Sequence, residues 1–141
     1  MKRKTEKQRA LIKLRLENKR AKRKIELEAK KAKQAKYAAW VKAVKERDNY
    51  TCQICKQHFD DPRALPAMHI LSKENYPELM YDVNNGLTGC YYDHKNSKLS
   101  PHLDGFAFVE WLRINKSEQY NYLKNWLEKH QKRAIDIHST T

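Results

Sequence analysis

The sequence predicts an α+β chain that is mostly helical, on three observations. Residues 1–47 contain neither glycine nor proline. Two short apolar stretches in the middle, LPAMHIL and GLTGC, have the length and composition of strands. After Pro101, two aromatic-rich stretches repeat their apolar residues at helical spacing.

The first element is a single long helix. Residues 1–47 are mostly Lys, Arg, Glu, Gln, Ala and Leu, side chains that lose little freedom in a helix. Apolar residues recur at Leu11, Leu14, Ala21, Ile25, Ala32, Ala35 and Ala39. Asn18 and Glu28 interrupt that seam and alanine buries little area, so a coiled coil is not supported. The first half could equally order only on meeting a polyanion. Tyr37, Trp40, Val41 and Val44 then add large apolar surface, which predicts packing onto the domain that follows. Asp48 and Asn49 end the helix.

The charge is one-sided. The formal net charge is +13, yet residues 1–47 hold 19 Lys or Arg against 5 Asp or Glu, so the remainder is close to neutral. A helix this basic points to an anionic partner. Lys13, Arg15, Lys19, Arg20, Lys22, Arg23 and Lys24 are its candidate phosphate contacts, giving affinity that is indifferent to sequence and sensitive to salt. Aromatic side chains that could stack on bases are lacking before Tyr37, which favours duplex backbone over single strands. A docking surface for a protein partner is the other reading of the same helix.

Three cysteines, Cys52, Cys55 and Cys90, cannot all pair within one chain, which predicts a reducing compartment. No run is long and apolar enough for a signal peptide or a bilayer span, so the chain reads as intracellular, without a membrane partner. Two thiolates two residues apart can grip a tetrahedral metal from one turn, and a third from a distant strand ties that turn to the fold. A structural zinc site on a ribbon-like knuckle follows. The position where a second knuckle would carry its cysteine is Asp93. Either Asp93 is the fourth ligand, or His94 swings in, or the three cysteines are simply buried without metal; His58 is a more remote donor.

After the strand GLTGC a helix is expected around His94 to Leu99. Asp104 can cap a helix carrying Phe106, Val109, Trp111 and Leu112. Ser117 can cap a second carrying Tyr120, Leu123, Trp126 and Leu127. Their amphipathic spacing marks these side chains as core, and the tail after Arg133 reads as frayed.

WVKAVKERDNYTCQIC followed by AMHILSKENYPELMYDVNNGLTGCYYDH resembles the HNH endonuclease family, in particular its small zinc-ribbon-containing members from phages and bacteria. The resemblance rests on an aromatic approach to Cys-x-x-Cys, a His-Ile strand, the YPEL loop, and Asn-Gly leading to Cys and then His. FVEWLR resembles C-terminal extensions of phage members. The resemblance implies a ββα-metal fold, with residues 1–36 a basic helical arm, 37–102 the HNH domain and 103–141 a helical extension. It implies DNA phosphodiester hydrolysis in a bacterial cytoplasm. It matches His69 to the general base, Asn85 to the asparagine that fixes local geometry, and His94 to a ligand of a catalytic Mg²⁺, Mn²⁺ or Ni²⁺.

The chain departs from that pattern at two ligand positions. Met68 stands before the base where the family has Asp or His, and Lys98 stands where a further ligand is usual. His102, Asn96 or Asp93 could supply another donor. If Met68 borders the cation, Met68→Asp should raise activity or metal affinity. The departures leave a second expectation open, a catalytically degenerate HNH domain that binds nucleic acid or docks on a larger DNA-processing assembly.

Overall fold

The computed structural model describes residues 5–138, with only the backbone described at Pro62 and residues 131–138. The architecture is α+β and mostly helical: α1 (Glu6–Arg47), β1 (Ala67–His69), β2 (Gly86–Thr88), α2 (Tyr91–Lys95), α3 (Gly105–Asn115) and α4 (Ser117–His138). The chain divides into two compact units, Met1–Ala38 and Ala39–Thr141. Among the described residues no helix is long and apolar enough to cross a membrane.

In the first unit, α1 starts on a reciprocal capping pair. Thr5 donates its N–H to Gln8 Oε1 at 2.9 Å, and Gln8 donates its N–H to Thr5 Oγ1 at 3.3 Å. Two donors that a helix start leaves unpaired are thereby satisfied. Residues 5–38 are exposed throughout, including Leu11, Leu14 and Ile25. Over these residues the helix is therefore held by propensity, and its apolar residues form no buried seam.

In the second unit the last turns of α1 become core. Trp40 and Val44 are buried, Val41 is half-buried, and Tyr37 at the end of the first unit is exposed. The helix stops where Asn49 and Tyr50 take positive φ, 51° and 48°, a region Asn tolerates better than most residues. Arg47 and Asp48 then clamp this end to the strands. Arg47 pairs with the Asp48 carboxylate at 2.8 Å and donates to the carbonyls of Val83 and Gly86. Asp48 Oδ2 accepts the Thr88 N–H at 2.8 Å. The buried carboxylate thus has both a counter-charge and a backbone donor, as burial requires.

The two strands are antiparallel, with Ala67 opposite Thr88, Met68 opposite Leu87 and His69 opposite Gly86. They are three residues each, shorter than LPAMHIL and GLTGC suggest. Beyond His69 the backbone turns to Asn85, which takes over Ile70 and Leu71. Strand alternation sends Met68 and Leu87 to one face, where they pack with Phe108. On the other, Gly86 leaves room for Trp40: a β-carbon there would lie 2.9 Å from Trp40 Cζ2.

Four expectations about the helices after Cys90 change. The helix after Cys90 is Tyr91–Lys95, not His94 to Leu99, because Cys90 caps it and Asn96 ends it. Asp104 does cap α3, accepting the Ala107 N–H at 2.9 Å. The buried face of α3 is Phe108 and Leu112 with Trp111 partly covered, whereas Phe106 is 84% exposed and Val109 45%. At about 100° per residue, positions 108, 111 and 112 share a face that 106 does not. Ser117 is the first residue of α4 rather than its cap. Leu123 is buried, Tyr120, Trp126 and Leu127 are half-buried, and the helical backbone runs to His138, past the point where fraying was expected. Residues 139–141 lie outside the described region.

Candidate metal centre and histidine site

The cysteine knuckle is built by a tight turn. Lys56 N–H bonds to the Cys52 carbonyl and Cys52 N–H to the Gln57 carbonyl, each at 2.9 Å, with Lys56 at φ 63°. Gln53 N–H reaches the Thr88 carbonyl, also at 2.9 Å, so the turn is fastened to β2. Two residues past the end of β2, Cys90 opens α2, and its sulfur accepts the Asp93 N–H at 3.4 Å. That cap places the Asp93 side chain against the thiols. Its Oδ2 lies 3.2 Å from Cys52 Sγ and 3.2 Å from Cys90 Sγ, and Cys55 Sγ lies 3.9 Å from Cys90 Sγ.

All four donor atoms fall within 4.8 Å of one another. Sulfurs on a tetrahedral zinc with Zn–S of about 2.3 Å stand roughly 3.8 Å apart, and a carboxylate oxygen stands about 3.5 Å from each. The donor set and its spacing therefore suit a zinc-sized ion, and the cluster could hold one. Of the expected alternatives, Asp93 is the residue aimed at the thiols, while His94 turns elsewhere.

The electrostatics point the same way. Burial pushes the Cys55 thiol up to about 12, and raises Cys90 as well. Burial also pushes the Asp93 carboxyl up, but hydrogen bonds from the three thiols and Ser97 outweigh it and hold the group below the usual carboxylate range. A carboxylate set among three thiols, with Cys55 and Cys90 shifted toward the protonated form, is a site that a cation would turn into a set of thiolates, with protons released.

The three other matched positions sit close in sequence to this centre but form separate arrangements. His69, half-buried at the end of β1, stacks on Trp40 with ring centroids 4.1 Å apart and planes 7° from parallel. Its Nε2 lies 2.9 Å from the Met80 carbonyl. A carbonyl only accepts, so Nε2 is the donor of this hydrogen bond, which in a neutral imidazole leaves Nδ1 as the acceptor nitrogen.

Asn85 is fully buried and uses both ends of its amide. Oδ1 accepts the Leu71 N–H at 2.7 Å, and Nδ2 donates to the carbonyls of Leu71 and Leu79 at 3.0 and 3.1 Å. One side chain therefore sets the path of the loop that leaves His69 and the turn, Pro77–Leu79, that precedes Met80. It acts on the histidine through the backbone at both ends.

No family model, curated protein or solved structure matches this chain.

Met68 enters the core. It is 1% exposed and packed with Leu87 and Phe108, so the expected role for this position gives way to a core one. His94 is half-buried on α2, and its Nε2 meets His102 Nε2 at 2.9 Å. Burial, then the facing His102 and Lys95, hold the His94 imidazole below its ordinary range, which favours the neutral form. Asp93 is committed to the cysteines, and Lys98 is exposed. Lys13, Arg15, Lys19, Arg20, Lys22, Arg23 and Lys24 are all exposed on α1, spread over roughly half its circumference at about 100° per residue.

Two residues that sequence reasoning assigned no site role also shape this region. Trp40 reads in sequence as core, and nothing local announces that its ring lies on His69. Ser100 reads as a linker serine, yet it is fully buried, and its hydroxyl donates to the His94 carbonyl at 2.7 Å.

Proposed function

We propose that this chain is a metal-dependent endonuclease of the HNH type that hydrolyses DNA phosphodiester bonds. The observation that carries the reading is the setting of His69: stacked on Trp40 and bonded through Nε2 to the Met80 carbonyl, it has its ring orientation and its tautomer fixed together. Nδ1 is then the atom that accepts a proton from an attacking water. Asn85 and Trp40 are positioning residues, the first through the backbone on either side and the second through the ring face. His94 would hold a divalent cation, whose chemistry would be to stabilise charge on the phosphate and the leaving oxygen. The ββα-metal core and the zinc knuckle of Cys52, Cys55, Cys90 and Asp93 belong to the same proposal, as a scaffold for the histidine.

Full-length protein loaded with one equivalent of zinc is expected to nick supercoiled plasmid with Mn²⁺, Ni²⁺ or Mg²⁺. His69→Ala is expected to lower the rate by about 10² to 10⁴, the usual worth of a general base. Cleavage unaffected by the substitution, or none with any cation, sinks the catalytic claim. The burial of Met68, which removes one ligand position, favours the second reading: a degenerate HNH domain that binds DNA or docks on a larger DNA-processing assembly.

DNA binding itself is assigned to α1. Replacing Lys13, Arg15, Lys19, Arg20, Lys22, Arg23 and Lys24 with Gln preserves helix propensity and removes the charge. Duplex affinity should fall for every sequence tested. The slope of log affinity against log salt should become shallower by about 0.9 for each phosphate that α1 no longer neutralises. An unchanged slope, read by fluorescence anisotropy, would transfer α1 to the protein-docking reading.

A further inference from the structure

The meeting of His94 and His102 is not a by-product of helix periodicity. The two are eight residues apart, α2 ends at Lys95, and a turn at Pro101–Leu103 brings His102 back. One buried side chain ties the backbone of both. Ser100, with no exposed surface, donates its hydroxyl to the His94 carbonyl at 2.7 Å and accepts the His102 N–H at 3.2 Å. The Ser100 carbonyl also receives the N–H groups of Leu103 and Asp104 at 3.1 Å, which joins the turn to the start of α3.

The ring nitrogens themselves stand 2.9 Å apart, with the ring planes tilted by 46° and centroids separated by 4.9 Å. Two neutral imidazoles that present lone pairs to each other at this distance repel, so something positive must lie between or beside them: a shared N–H hydrogen or a cation. For a cation with M–N bonds of about 2.1 Å, nitrogens at neighbouring octahedral positions are about 3.0 Å apart, and at tetrahedral positions about 3.4 Å. The observed spacing fits the first. His94 is half-buried and His102 exposed, so the pair is fixed on its protein side and open to solvent on the other.

We propose that His94 and His102 form a two-imidazole site for a divalent transition cation, with its other positions open to water or to a phosphate oxygen. Nitrogen donors favour Ni²⁺, Co²⁺ or Zn²⁺ over Mg²⁺, which prefers oxygen. His102 thereby supplies the second protein donor that Met68 and Lys98 do not. As the seat of a nuclease cation the site rests on the endonuclease reading; as a cation site it stands on the geometry alone.

The test is calorimetric titration of Ni²⁺, without DNA, into full-length protein carrying one equivalent of zinc. Absorbance is followed for nickel–thiolate charge transfer and a dye is included for released zinc. One further equivalent of Ni²⁺ is expected, without either signal. His102→Ala and His94→Gln should each weaken it at least about tenfold, the least that losing a direct ligand should cost, and the exposed His58→Ala should leave it unchanged. His102 is exposed, so its substitution should leave the thermal transition in place, and His102→Gln provides a second variant of similar size. No second equivalent, an affinity indifferent to both His102 variants, or nickel found on the thiolates overturns the site and leaves a hydrogen-bonded pair only. Nickel binding that depends on His102, in a protein that cleaves no DNA, retains the site and removes the nuclease.

Discussion

Chelating the metal from zinc-loaded protein is expected to abolish the cooperative unfolding transition of residues 39–141. The cluster of Cys52, Cys55, Cys90 and Asp93 links a turn, the residue just past β2 and a helix start, beside only a small apolar cluster. Its apolar surroundings are Leu65 with partly covered Tyr50, Ile54 and Phe59, and the strands beside it have three residues each. A core of that size supplies few kilocalories, and a structural zinc can contribute about 10 kcal/mol or more of apparent folding free energy. Even 3 kcal/mol of it corresponds to a melting temperature lower by about 12–24 °C in a unit of this size.

The loss should be read by near-ultraviolet circular dichroism, where the Trp40 signal reports packing, and by calorimetry, with Cys52→Ser as the variant. The sign with pH also follows. Burial keeps Cys55 and Cys90 protonated in the metal-free chain, the former up to about 12. Binding must expel those protons, so zinc affinity should rise with pH and the chelator should succeed more easily in acid. A protein that contains no zinc as purified, takes up none, and melts identically in chelator would show that the four side chains merely pack.

What the sequence made legible is what local chemistry decides. The helix through Arg47 follows from composition, the Asp104 cap from one residue three positions before an amide, and the Cys-x-x-Cys turn from its spacing. The choice of Asp93 over His94 at the thiols needed one more fact, that Cys90 caps α2 and so turns Asp93 inward. The rest depends on residues far apart in the chain. Trp40 and His69 are 29 positions apart in sequence before they stack, and the Asn85 amide finds partners at Leu71 and Leu79 only once the loop between the strands has closed. Phe106 reads as core from the amphipathic spacing of its stretch, while the face of α3 is decided by Phe108 meeting Met68 and Leu87.

Met68→Asp is expected to destabilise the protein strongly instead of restoring a metal ligand. In β1, alternate side chains leave on opposite faces, so the residue before His69 points away from it. Here it enters the core: Met68 is 1% exposed against Leu87 and Phe108, with Ile54, Ile70 and Trp111 around them, and a β-carbon on Gly89 would lie 2.7 Å from its sulfur. Among these apolar neighbours an ionised carboxylate gains no counter-charge in exchange for its lost hydration. The protonated form still leaves a smaller side chain and an unsatisfied polar group. A loss of about 4 kcal/mol or more is expected, in the range reserved for buried charges and large cavities. Met68→Leu, which conserves volume, should cost less than about 1.5 kcal/mol. Urea unfolding of zinc-loaded protein separates the two variants. If Met68→Asp instead keeps its midpoint and binds Ni²⁺ or Mn²⁺ more tightly than the wild type, then position 68 borders a cation, and the burial of Met68 is a packing choice that a ligand can reverse.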